Sequence, residues 1–427
     1  MKKTLNFFKS KLGNSPFLKN TLIVTFGTGI AQIFPMLSYP FLARIFSPSE
    51  FGLLAIITSL VPIMAVISSG AYEGGILLSK SKRASINLSA YILIRSFFIL
   101  CIFSLFIILF SKNIADILNE PLLEKWIFSV PIISLGVVIF NISNEWNVKY
   151  KYFTSLSLNK ALYTVTNVVF KLFIGFFSII KFGGLILGDL FGKIFMILYC
   201  FFKLKSLDGS FFNAVNLKDV RQSPKLVYDF PRFVMPDQII SNLGGSIHIF
   251  FISSYFGSAQ VGLVSIVSSL LYVPITIFSS AIKDVFRQRA VEDFESSKNC
   301  RPLYLKLLIP ITLIAITGFG FLYFVLPSFF RILFGPEWED AGRYGQILIP
   351  LFCFSFISMS LKDIFVVVKK MHIALIWQIF YIVILLFSLV AGTMYFSDLD
   401  ITLYLMTFSG CIAHSLYMIL SFYYAKN

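Results

Sequence analysis

The 427-residue chain is 57% hydrophobic and only 13% charged, with a mean hydropathy of +0.83, whereas soluble globular domains carry about 25% charged residues. This composition excludes an ordinary soluble enzyme and reads as an all-α polytopic membrane protein, since the apolar runs are of helix-spanning length and not the alternating segments of a barrel. The net charge of +15 would suit a nucleic-acid binder, but the lysines and arginines fall in alternate loops, so they report topology and no nucleic-acid partner is expected.

The chain opens on MKKTLNFFKSKLGNSPFLKN, which is basic and amphipathic and lacks a small-residue cleavage site. Residues 1–17 are therefore expected to persist as a cytoplasmic arm lying at the membrane surface. Apolar runs and breaks then predict twelve spans. The first six, approximately 18–43, 51–71, 87–110, 123–143, 156–180 and 184–202, make an N-lobe over 18–202. A polar cytoplasmic linker follows at 203–232. The other six, 233–256, 261–282, 303–328, 344–367, 373–396 and 401–424, make a C-lobe over 233–427.

Charge supports this division. Of the 36 Lys and Arg, only Arg44, Lys112, Lys125, Lys181, Arg331 and Arg343 fall on the side opposite the N-terminus, and Arg95, Lys171 and Lys193 fall within spans. The bias predicts that both termini are cytoplasmic. Six spans per half is an even number, so the two halves enter the membrane in the same orientation, as parallel and not inverted repeats. The repeat itself is visible: FLARIFSPSEFGLLAIITSL (Phe41 to Leu60) aligns without a gap on FISSYFGSAQVGLVSIVSSL (Phe251 to Leu270), pairing Phe46 with Phe256, Gly52 with Gly262 and Leu60 with Leu270.

Punctuation within the spans has bland readings. Pro35, Pro40, Pro62, Pro131, Pro231, Pro236, Pro274 and Pro350 predict bends, and Trp126, Trp146, Trp338 and Trp377, all near span ends, suit an aromatic belt. The string GDLFGKIF (Gly188 to Phe195) lacks the spacing and the hydroxyl of a P-loop, so Gly188 and Gly192 are read as a packing face. Cys101, Cys200, Cys300, Cys353 and Cys411 are solitary, and His248, His372 and His414 are far apart in sequence, so no disulfide, metal or cofactor is expected.

The intramembrane charges carry most of the chemistry. A charge near the bilayer centre costs about 2.5–3.5 kcal/mol on insertion scales and tends to face a cavity or a partner. Asp189 stands four residues before Lys193 and can neutralise it. Lys171 has no charged sequence neighbour, Asn167 being the one polar group close to it, so it is expected to face the space between the lobes with Arg95 lining the same cavity. Lys171, Arg95, Lys193 and Arg44 are thus the candidate cations of a cavity that would attract phosphate. Asp237, Asp189 and Glu73 are the candidates for coupling to a proton or sodium gradient, while Lys283-Asp284 and Lys362-Asp363 are read as self-neutralised pairs.

The strings around Phe41 to Leu60, AYEGGILLSKSKRASINLSA (Ala71 to Ala90), and Tyr228 to Ala290 (YDFPRF through VFRQRA) resemble bacterial polysaccharide-transport proteins of the O-antigen flippase type. These form part of the multidrug/oligosaccharidyl-lipid/polysaccharide exporter superfamily. The resemblance covers nearly the whole chain in span order. It implies two MATE-like six-helix bundles forming a V-shaped, alternating-access transporter of the bacterial cytoplasmic membrane, and a substrate of undecaprenyl-pyrophosphate-linked oligosaccharide. Partners would be the bilayer and the glycan polymerase and chain-length machinery. The alternatives are a drug or metabolite exporter of the same superfamily, disfavoured by the scarcity of unpaired acids, and a membrane glycan polymerase or ligase, disfavoured by short external loops.

Overall fold

The computed structural model describes residues 16–177, 182–207, 215–297 and 299–426. All of the expected N-terminal arm but Pro16 and Phe17 lies outside the described residues, as do 208–214 of the expected linker and the last predicted positions of the fifth span. Twelve long helices follow one another among the described residues. They are α1 (Pro16–Ala43), α2 (Pro48–Ser69), α3 (Lys82–Ile117), α4 (Ser129–Lys149), α5 (Phe153–Phe176), α6 (Gly184–Leu207), α7 (Met235–Phe256), α8 (Ser258–Ser297), α9 (Arg301–Phe329), α10 (Glu339–Ser360), α11 (Met371–Val390) and α12 (Leu399–Tyr424). Eight are long and apolar enough to cross a membrane; the other four are α1 and α4 to α6. The protein is an all-α, multi-pass membrane protein.

Several helix ends depart from the predicted spans. No Gly or Pro lies between Lys82 and Glu120 or between Ile275 and Arg301, so α3 and α8 continue as helix past the apolar run. α4 begins six residues later than its predicted span because Leu123–Trp126 makes a separate turn. Pro131 then takes the first turn of α4, where its missing N–H is harmless. The helix continues through the polar run Asn141 to Lys149, which hydropathy had placed mostly outside the span.

Two compact units divide the chain. The first comprises the described residues up to Ser38, Ile56–Ala115 and Pro121–Leu243; the second comprises Tyr39–Ala55, Asp116–Glu120 and Gly244–Asn427. The first has a core of Ala65, Tyr72, Ile76, Leu88, Ile92, Val138, Ile142 and Val227, contributed by α2, α3, α4 and the short segments beside them. In the second, an aromatic cluster of Phe51, Phe330, Phe334 and Trp338 packs edge to face and tilted. Trp338 is fully buried and donates its indole N–H to the carbonyl of Ala43. That corrects the aromatic-belt reading for this residue, because an interior carbonyl satisfies the indole in place of a lipid headgroup.

The internal repeat is retained in packing. In the spanning windows of α2, α8 and α10, 50% of residues are buried, against 22% in α3 and 17% in α7, α9 and α11, so α2 matches α8 and α3 matches α9. Likewise α6 packs on α4 and α5, and α12 packs on α10 and α11. Large side chains such as Phe97, Phe98, Leu109, Ile309 and Phe324 remain exposed on the outer helices, as lipid contact requires. Lipid removes the hydrophobic drive between helices, leaving close packing and polar contacts to hold them. At the matched positions Gly52 and Gly262, both inside the second unit, α2 and α8 meet backbone to backbone. A methyl at Gly52 would fall on the carbonyl of Ser258, and one at Gly262 on that of Pro48.

Candidate functional site

The α5–α6 hairpin builds a buried group of charges in the first unit. Gly188 and Gly192, one turn apart on α6, allow α5 to approach closely: a Cβ on Gly188 would lie 2.6 Å from Lys171 Cα, and one on Gly192 2.7 Å from Asn167 Cα. That approach seats Asp189 beside α5. Its Oδ1 stands 3.5 Å from Lys171 Nζ and 4.0 Å from Lys193 Nζ, and it accepts a hydrogen bond from Asn167 Nδ2. Lys193 also lies over the ring of Tyr163, 3.8 Å from its centroid. The expectation that Lys171 stands unpaired is corrected here, because its counterion comes from the next helix and not from its own.

The arginine candidates are engaged by helix ends. Arg95 Nη1 donates to the carbonyls of Ile67 at 3.0 Å and of Ser68, in the last turn of α2, where carbonyls lack intrahelical partners and carry the negative end of the macrodipole. Arg44, in the second unit, donates to the carbonyls of Leu333 at 3.1 Å and Ile332 at 2.8 Å, closing the π-helical turn Phe330–Phe334 that extends α9. Arg301 does the same for Phe422 and Tyr423 at the end of α12.

The carboxylate candidates are dispersed. Glu73 is buried in the turn Tyr72–Gly74 after α2. Burial holds its carboxyl above the usual range against the opposing effect of a hydrogen bond from Ser69. Asp237 is exposed in the first turn of α7, a position that suits a negative charge. Asp363 pairs with Arg287 at 3.7 Å, which corrects the self-neutralised Lys362-Asp363 reading: the cation comes from α8. His414 is buried and held between the hydroxyls of Ser355 and Ser358, each at 2.8 Å. Among the described residues no group of His, Cys, Asp and Glu could hold a metal ion.

A cavity of about 280 Å³ opens inside the first unit between α2, α4 and α7. Pro62, Ala65, Val66 and Val137 supply its apolar wall; Asn141, Gln238, Ser241 and Asn242 supply its polar one. Gln238, Ser241 and Asn242 stand at i, i+3 and i+4, one face of α7. Among the described residues no charged side chain lines the cavity, and none of the cationic candidates reaches it. The sequence signal was present as three uncharged polar residues at helical spacing in an apolar span, but a search for charges passes over it.

The sequence family described as polysaccharide biosynthesis protein matches residues 41–343. No curated protein matches the chain. Among solved structures, an inward-facing multidrug resistance MATE family transporter of the MOP superfamily is similar at a TM-score of 0.70 and 16% identity, covering 92% of this chain and 93% of that one. Lipid II flippase MurJ, in an inward closed conformation, is similar at a TM-score of 0.70 and 13% identity, covering 92% and 86%. A MOP superfamily transporter from Pyrococcus furiosus gives 0.60 and 16%, covering 94% of each chain. At these identities the likeness speaks for the fold. By the match over most of its length, the chain belongs to the polysaccharide biosynthesis protein family, in the fold of the MOP superfamily.

Proposed function

We propose that this protein is a flippase that carries undecaprenyl-pyrophosphate-linked oligosaccharide across the bacterial cytoplasmic membrane for surface polysaccharide assembly. The observation that carries the reading is a polysaccharide-biosynthesis sequence on a transporter fold. The similarity to a lipid II flippase supports a lipid-linked substrate. A polar cavity among membrane helices supports passage of a hydrophilic headgroup, while the polyprenyl tail stays in lipid and need not be enclosed. Alternating access is the proposed cycle. Of the three carboxylates at which a proton or sodium gradient would act, Glu73 and Asp189 are buried and Asp237 is exposed. The charge bias supports cytoplasmic termini, and the glycan polymerase and chain-length machinery are the partners downstream.

Deletion of the gene tests this. The expected result is loss of surface polysaccharide with accumulation of the lipid-linked unit on the cytoplasmic face, reversed by the intact gene. Normal surface glycan in a clean deletion lacking any paralogue refutes it. Unchanged glycan together with loss of cation efflux would assign the protein to drug export instead.

A further inference from the structure

The cavity between α2, α4 and α7 presents Asn141, Gln238, Ser241 and Asn242, and none of these side chains is engaged by a protein hydrogen bond among the described residues. Polar groups on membrane helices are ordinarily satisfied by neighbouring helices, as the Asn159 amide nitrogen is here, donating from α5 to the Ser143 hydroxyl on α4. Four unengaged groups converging on one cavity therefore mark a surface kept for a ligand. Their chemistry selects among ligands. A side-chain amide offers two donors and an acceptor, which matches neighbouring hydroxyls that each donate and accept. Pro62, Ala65, Val66 and Val137 offer an apolar wall that suits the C–H face of a pyranose ring. Pyrophosphate would call for cations with charge-assisted donors, and a cationic drug for carboxylates; the lining holds neither. Lys171 and Lys193 share Asp189, and Arg95 is held by helix carbonyls, so the three cationic candidates of this unit are already committed.

Resting on the flippase reading, we propose that this cavity binds an uncharged sugar residue of the lipid-linked oligosaccharide through Asn141, Gln238, Ser241 and Asn242. The transporter then recognises the glycan at this point and not the pyrophosphate. Its volume of about 280 Å³ lies just below the range of pockets for drug-sized ligands, about 300 to 1,000 Å³. One sugar residue is thus the natural occupant.

The test uses the full-length protein in nanodiscs with two probes: lipid-linked oligosaccharide isolated from the host's membranes, and undecaprenyl pyrophosphate without sugar. The wild type should bind the glycosylated lipid more tightly. Asn141→Leu, Gln238→Leu and Asn242→Leu, which keep a branched side chain and remove hydrogen bonding, should each weaken that binding about tenfold and leave the sugar-free lipid unchanged. Thermal midpoints equal to wild type show which variants remain folded, and Gln238→Glu provides a second polar variant at the most exposed amide. Variants that bind the glycosylated lipid as wild type does overturn the proposal. So does an equal loss for both probes, which would put pyrophosphate in the cavity. If the wild type binds neither probe, the flippase reading itself falls.

Discussion

Replacing Asp189 with Asn tests the buried charge group directly. Asp189, Lys171 and Lys193 have side chains only 7%, 12% and 9% exposed, so solvent screens them weakly. At an effective dielectric constant of about 20, each ammonium at roughly 4 Å gains on the order of 4 kcal/mol from the carboxylate, offset in large part by desolvation. Removing one partner of a buried pair costs about 3–5 kcal/mol, since the remaining charge is left unpaired. Asp189→Asn should cost at least that much, because two ammonium groups are left facing each other. Lys171→Met should cost less, because Lys193 still neutralises Asp189, and the double variant should recover part of the loss of Asp189→Asn. The assay is the thermal midpoint of purified protein in nanodiscs, read as a double-mutant cycle. A midpoint unchanged in Asp189→Asn, or a double variant no more stable than that single one, refutes the reasoning.

Three further outcomes follow from the same geometry. Arg95→Ala should cost about 1.5–3 kcal/mol by removing a charged donor from the carbonyls ending α2, with Arg95→Lys recovering part; the same thermal assay reads it, and a flipping defect at unchanged stability would make Arg95 a substrate contact instead. Glu73 has its carboxyl raised above the usual 4.5 by burial, assisted by Glu145 and opposed by its backbone and Ser69 hydrogen bonds and by Arg95. The folded state thus holds this proton more tightly than the unfolded one, so stability should fall as pH rises from 4.5 through the raised value; Glu73→Gln should remove that slope from melts recorded against pH. Asp219→Ala breaks an ion pair with Arg83 at 3.0 Å between side chains 40% and 62% exposed, and should change stability by less than about 1 kcal/mol, the more so in high salt.

The helix order and the repeat register are legible in the sequence because apolar length and Gly/Pro spacing act locally. The fate of the charges is not. Arg95 meets carbonyls 27 and 28 residues away, and Arg44 meets one 289 residues away. A backbone carbonyl has no residue type, so no reading of side chains could have named these acceptors. Lys171 and Asp189 lay within reach of such a reading, since Gly188 and Gly192 marked the packing face, but joining the two required the pairing of α5 with α6. The amide cavity was hidden for a different reason. Hydropathy ended the fourth span near Asn141, in the polar stretch that turns out to be the second half of α4.

The meeting of α2 and α8 at Gly52 and Gly262 bears on how the two copies of the repeat can diverge. A side chain at either position strikes a carbonyl oxygen of the facing helix, and every residue type carries that oxygen. No exchange at Ser258 or Pro48 can therefore make room, and the usual compensation of large for small across a contact is closed to this pair. Second-site suppressors of Gly52→Ala should arise instead where helix curvature is set, at Pro62 within α2 or Pro274 within α8. While the rest of the two copies drifts, these two glycines are bound to persist together.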